Sequence, residues 1–214
     1  MESRLIDNTI AYVKEVFATD FSGHDYFHTM RVYKMATKLA LQEHADVQMV
    51  QLAALLHDVD DRKLSPETCV NKDRAVTFMQ SQNLSEVTIE EIKEMIGEVS
   101  FAGTDSVVPK TLEGKCVQDA DRLDALGAMG IARAFAYGGN HNRIMYDPEI
   151  KPILHMDKEE YENHVSTTVN HFYEKLFLLK DMMNTESAKV IAKHRERYMK
   201  EYIDEFMDEW EGLK

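Results

Sequence analysis

Residues 47–63 read VQMVQLAALLHDVDDRK. From Leu52 onward the segment is apolar on nearly every face, and a helix without a polar side belongs in the middle of a core. The stretch therefore predicts a central buried helix over 46–57. His57 and Asp58 follow at once, so an imidazole and a carboxylate leave the end of a core element. Ionisable groups in such a position need a partner or a cation.

Two flanking stretches carry groups of the same kind. Upstream, HDYFHTMRV spans residues 24–32, and Val32, Met35, Ala36 and Leu39 form one helical stripe with His28 one turn before Val32 on the same face. Downstream, QDADRLDA spans residues 118–125 and offers Asp119, Asp121 and Asp124. Advancing about 100° per residue from Val117 places Asp121 near 40° and Asp124 near 340°, beside Val117, Ala120, Ala128, Ile131 and Phe135. Asp119 falls near 200° by the same count, with Arg122, Leu126 and Arg133, and is expected to be a surface ion-pair residue.

Asp121 is thus the best third-segment ligand candidate. Two imidazoles and two carboxylates suit a divalent first-row metal and leave octahedral positions for water and a substrate oxygen. Singly, each has a plainer reading: His28 as a hydrogen-bonded core histidine, Asp58 as a turn or cap. Jointly, polar groups at internal helical positions demand a reason, and the pattern is that of a metal-dependent hydrolase.

Composition agrees with a helical enzyme. The chain has 214 residues with only four prolines and nine glycines, so a single all-α domain over 1–214 is expected. Helices are predicted over about 2–18, 24–43, 46–57, 66–82, 86–99, 111–136, 158–183 and 186–210. The 38 acidic against 25 basic residues give −13, which repels polyanions and argues against a nucleic-acid polymer as partner. A small phosphate ester stays compatible, because a metal and a few local cations offset the field.

Cys69 and Cys116 form no Cys-x-x-Cys pair and read as two reduced thiols of a cytoplasmic protein. MESRLIDNTIAYVKEVF at the start has acidic residues and no continuous apolar run, so it reads as an amphipathic helix rather than a signal or membrane anchor. Met199, Tyr202, Ile203, Phe206 and Trp210 fall at helical spacing on a face that docks on the bundle or on a second subunit. The sequence has no glycine-rich phosphate loop, serine nucleophile elbow or His-Glu-x-x-His motif.

The segments FHTMRV, LAALLHDVDDRK and VQDADRLDALGAMGIAR, in that order, resemble the HD-domain phosphohydrolase superfamily. The resemblance is closer to its bacterial stand-alone metal-dependent members and extends over YGGNHNRIMYDP and HFYEKLFLLKDMMNTESA. It implies a compact all-α HD-domain bundle with one buried divalent site. The implied ligands are His28, His57, Asp58 and Asp121, and ADRL resembles the segment in guanosine tetraphosphate hydrolases whose aspartate ligates the metal. Binuclear branches, di-iron oxygenases among them, add histidines between the His-Asp pair and the last aspartate. Here none occurs between His57 and His141, so one ion is expected, Mn²⁺ by preference, with Mg²⁺, Fe²⁺, Co²⁺ or Ni²⁺ admissible.

By the same resemblance Asp61 is the base or water-orienting residue, against the alternative of a solvated acidic turn. Lys63 is a candidate for stabilising phosphoryl charge. His24, one turn before His28, is a candidate substrate contact or general acid, or else a cap within SGHD. The polar loop 137–157 reads as a substrate-facing cover, with His141 and Arg143 as candidate substrate-binding residues. The expected activity is hydrolysis of nucleotides by a metal-activated water, nucleoside or deoxynucleoside triphosphates favoured, with release of pyrophosphate. A 5′-nucleotidase, a guanosine tetraphosphate hydrolase and a catalytically weak nucleotide sensor are the alternatives. The resemblance also allows a homodimer.

Overall fold

The computed structural model describes residues 2–18, 25–61 and 65–214. These residues form ten α-helices and one 3₁₀ helix, and the β-type pairing among them is an isolated bridge between Ala102 and Thr104. The all-α expectation holds. Contacts divide the chain into two compact units, one of residues up to 100 together with 108–121, the other of 101–107 together with 122–214.

The first unit contains α1 (Glu2–Val16), α2 (Tyr26–Glu43), α3 (Val47–Leu56), α4 (Asp73–Ser81), α5 (Glu86–Gly97) and the start of α6 (Leu112–Asp124). As predicted, α3 is central: it packs on α1, α2 and α5. Its Val50 and Leu52 through Leu56 are all buried. Each large aliphatic side chain so buried contributes about 1.5–3 kcal/mol relative to exposure. Asp46 caps α3 by accepting from the amides of Gln48 and Met49 at 2.9 and 3.1 Å.

One boundary in this unit differs from expectation. The helix expected over 66–82 begins only at Asp73, because Lys72 has φ 58°, in the left-handed region where a helix cannot continue. Residues 66–72 form turns instead, with Cys69 N–H donating to Ser65 O and Lys72 N–H to Thr68 O.

The second unit contains α7 (Gly127–Asn140), α8 (Lys158–Asn163), α9 (Thr168–Glu174), the 3₁₀ helix Leu176–Met182 and α10 (Glu186–Trp210). The long C-terminal helix falls where predicted and packs on α7. Phe135 meets Phe172, Tyr202 and Phe206 at ring-centroid distances of 6.1–6.2 Å.

Two expected helices are broken. The helix of 111–136 stops at Asp124 and restarts at Gly127, with Leu126 extended and Gly127 at φ 73°. Gly130 lies so close to the break that a Cβ there would sit 2.1 Å from the Ala125 carbonyl oxygen. The helix of 158–183 becomes three pieces, because His164 is extended and Thr167 starts α9 afresh by capping Asn170 N–H at 3.0 Å. The loop expected from 137 begins only after α7 ends at Asn140.

Candidate metal centre

His28 lies in the first turn of α2. The α2 cap, Asp25, accepts the His28 amide at 2.7 Å, which fixes the register at which the imidazole leaves the helix. His28 is fully buried. His57 follows the last residue of α3 and is still helical in backbone, and its Nδ1 lies 2.8 Å from the Ala54 carbonyl oxygen. That contact places the proton on Nδ1 and leaves the Nε2 lone pair pointing inward.

The groups converge. Asp58 Oδ2 is 3.3 Å from His28 Nε2 and 3.2 Å from His57 Nε2. Asp121 Oδ1, on α6, approaches the same two nitrogens at 3.4 and 3.9 Å. His28, His57 and Asp58 offer ligand atoms within 4.8 Å of one another, a group able to hold a metal ion. An octahedral edge built on bonds of about 2.1 Å is about 3 Å long, so these spacings suit one small cation.

Two further observations fit a cation. His57 Nε2 is buried and meets no group among the described residues with hydrogen-bond geometry, although Asp58 Oδ2 is near. With both imidazoles neutral, as ligands must be, the two carboxylates carry a formal −2, which a divalent ion cancels; in its absence that balance falls to protons on the imidazoles. Side-chain exposure rises from 0% at His28 and 2% at His57 to 10% at Asp58 and 28% at Asp121, so the cluster opens to solvent on the Asp121 side.

Burial and charge oppose one another within the cluster. Burial pulls the His57 imidazole down, but the Asp58 carboxylate beside it and Asp121 behind it prevail, and its pKa stands above the ordinary histidine value of 6.5. Burial pushes the Asp121 carboxyl up, yet the hydrogen bond and charge of His28 outweigh it and hold the carboxyl below the usual 3.8.

The other sequence candidates divide. Asp61 is half-buried one turn beyond the pair, its amide donating to Asp58 O at 3.0 Å. His24 and Lys63 lie outside the described residues. His141 and Arg143 belong to the second unit, where His141 stacks on Tyr137 at 3.8 Å and Arg143 lies 5.7 Å from the same ring.

The expected surface position of Asp119 is corrected. It is fully buried, because α6 is covered on every side from Cys116 to Ala120 and the wheel has no solvent face there. Asp124, on the apolar face, takes an arginine rather than a metal: Arg133 donates to its Oδ2 at 2.8 Å.

One residue near the site escaped the sequence reading. Asp60 is fully buried, and its two carboxylate oxygens accept the amides of Arg74 and Ala75 at 3.2 and 2.9 Å. No local signal in the sequence marks it, because the helix whose amides it accepts begins well downstream of it.

Comparison with known proteins accords with this geometry. A model of the HD domain matches residues 25–126. YpgQ of Bacillus subtilis is 31% identical over 204 residues, covering 94% of this chain and 92% of that protein. Its structure in complex with ADP aligns with TM-score 0.75 over 97% of this chain and 96% of the other. An HD-superfamily hydrolase from Bacillus thuringiensis is 41% identical, with TM-score 0.78 and 99% of each chain covered. A structure from Lactobacillus plantarum is 39% identical, with TM-score 0.86 over 99% of this chain and 98% of that one.

Proposed function

The chain belongs to the HD-domain superfamily of metal-dependent phosphohydrolases, and from that premise we propose that residues 1–214 act as one catalytic domain that converts nucleoside or deoxynucleoside triphosphates to monophosphates and pyrophosphate. The observation that carries the reading is the convergence of Asp58 and Asp121 on the buried Nε2 atoms of His28 and His57. In this reading those four side chains hold one divalent ion, Mn²⁺ by preference. When bound, such an ion polarises a phosphoryl oxygen and makes water more acidic.

The chain's own residues supply the rest. His57 presents Nε2 because Ala54 O holds Nδ1. Asp61 orients the attacking water and accepts its proton. Lys63 stabilises charge on the phosphates, and His24 contacts the substrate or protonates the leaving oxygen. The ADP complex of the related YpgQ supports a nucleotide as ligand. The chain's net charge of −13 favours a small substrate over a polymer. Free Cys69 and Cys116 suit a reducing, cytoplasmic compartment. No helix of the described residues is long and apolar enough to cross a membrane.

The test is phosphate and pyrophosphate release from nucleoside mono-, di- and triphosphates and guanosine tetraphosphate with Mn²⁺, in wild type and Asp58→Ala. Pyrophosphate from triphosphates, abolished in the variant, is the expected result. Orthophosphate from monophosphates alone would make the protein a nucleotidase, and tight binding without turnover would make it a sensor.

A further inference from the structure

We propose that Asp60 is a positioning residue of the metal centre: it holds the His57-Asp58 turn in place by serving, from outside, as the N-terminal cap of α4. The inference rests on the reading of that cluster as a metal site.

The first helical amides of any α-helix lack partners within the helix, and a side-chain oxygen just before the helix normally accepts one or two of them. At α4 that residue is Lys72, which makes no capping bond and sits at φ 58°. The amides of Arg74 and Ala75 are instead met by the two oxygens of Asp60, at 3.2 and 2.9 Å. A fully buried carboxylate is otherwise unfavourable, so the arrangement satisfies both sides: the acid gains two donors and the positive end of the helix, and the helix gains its cap.

What makes this cap a positioning device is where it sits in sequence. Residues 57–60 form a turn, with Val59 N–H donating to Leu56 O at 3.3 Å and Asp61 N–H to Asp58 O at 3.0 Å. Its start is fixed to α3 by His57 Nδ1 at Ala54 O. Its far side is fixed by Asp60 on α4 and by Ser65, whose amide donates to Asp61 O at 2.7 Å and whose hydroxyl donates to Val59 O at 3.4 Å. Asp58 and Asp61 therefore flank a residue whose side chain is tied to a second helix. Release of that tie frees the backbone that sets Asp58 Oδ2 between the two imidazoles.

The experiment measures the dissociation constant of Mn²⁺, by the electron paramagnetic resonance signal of free ion, in wild type, Asp60→Asn, Asp58→Ala and Met79→Ala. Asparagine keeps the shape and one acceptor but turns an amide toward the second helix N–H. Met79→Ala opens a cavity in the buried face of the same helix without touching the cap. Asp60→Asn is expected to weaken Mn²⁺ binding about ten-fold or more, as loss of an outer supporting contact does. Met79→Ala, with a melting temperature lowered at least as far, is expected to keep the wild-type affinity.

Wild-type affinity in Asp60→Asn, or an equal weakening in Met79→Ala, overturns the positioning role and leaves the metal site standing. Absence of Mn²⁺ binding in the wild type itself, with Asp58→Ala no different, overturns the site reading and this inference with it.

Discussion

His57 Nδ1 lies 2.8 Å from the carbonyl oxygen of Ala54, one turn back along α3. A backbone acceptor cannot give up that role, so the imidazole proton is kept on Nδ1 and the metal-facing nitrogen is Nε2. In the metal-free protein Nε2 also takes a proton more readily than usual, because Asp58 and Asp121 outweigh the effect of burial.

Metal uptake must displace that proton. Because the folded pKa of His57 is raised, metal-free stability from this group is fully present below the ordinary value of 6.5 and is lost as pH rises through the folded value. Mn²⁺ affinity runs the opposite way, weakening up to about ten-fold per pH unit below the raised pKa. Titration calorimetry in buffers of different ionisation enthalpy should show proton release near neutrality, and a larger Mn²⁺-induced rise in melting temperature at pH 8 than at pH 6. An affinity flat from pH 6 to pH 8 would contradict the His57 assignment.

Asp121 and Asp124 share a helical face but should respond oppositely to truncation. Asp121→Ala removes a ligand from a half-open position and is expected to weaken Mn²⁺ binding about 100-fold, with little loss of stability. Asp124→Ala leaves the Arg133 guanidinium without its 2.8 Å partner and should cost about 3 kcal/mol in urea unfolding while one ion per chain is still bound. If instead Asp124→Ala loses the metal at unchanged stability, the ligand choice on α6 is wrong.

Glu174 is a second buried acid with a structural task. One oxygen, Oε1, receives His164 Nε2 at 3.0 Å, Ser166 Oγ at 2.9 Å and Ile153 N–H at 3.2 Å. It thereby ties the segment after the loop to α9. Glu174→Ala strands these donors and is expected to destabilise the protein by about 2–4 kcal/mol. Hydrogen exchange should rise across 150–166 in the variant, and unchanged protection there would refute the tie.

The Cys116 thiol should be inert and should make the fold sensitive to alkali. Burial, then the nearby Asp119, Glu43 and Glu113, push it up to about 12 from 9.0. The neutral thiol is thus favoured in the folded state, and stability falls between about pH 9 and pH 12, by at most about 4 kcal/mol. Cys116→Ala lacks this slope, so the stability gap between the two proteins should narrow as pH rises. A constant gap would show that the thiol does not couple to folding.

The central helix and its His-Asp exit were legible because LAALL leaves no polar face, and burial follows from that alone. His28 and Asp121 were legible because a polar group interrupts an apolar stripe. The reading failed where tertiary packing overrode a local period: helical periodicity runs through Leu126 and His164, but Gly127 and Thr167 begin new helices there. Asp119 was misread because a single wheel assumes one wet side, and α6 has none over that turn. Asp60 left no trace as a cap, since its helix starts more than ten residues later and only the fold brings the two together.

The four converging side chains come from α2, the end of α3 and α6, so gathering them closes loops of about 30 and about 60 residues. No short fragment of the chain can assemble such a group before those loops are closed. An ion bound there acts as a latch on a finished fold rather than as a seed for one. Its arrival should leave the rate of folding unchanged and slow the rate of unfolding, so that the loaded protein survives proteolysis longest in the segments that carry its ligands.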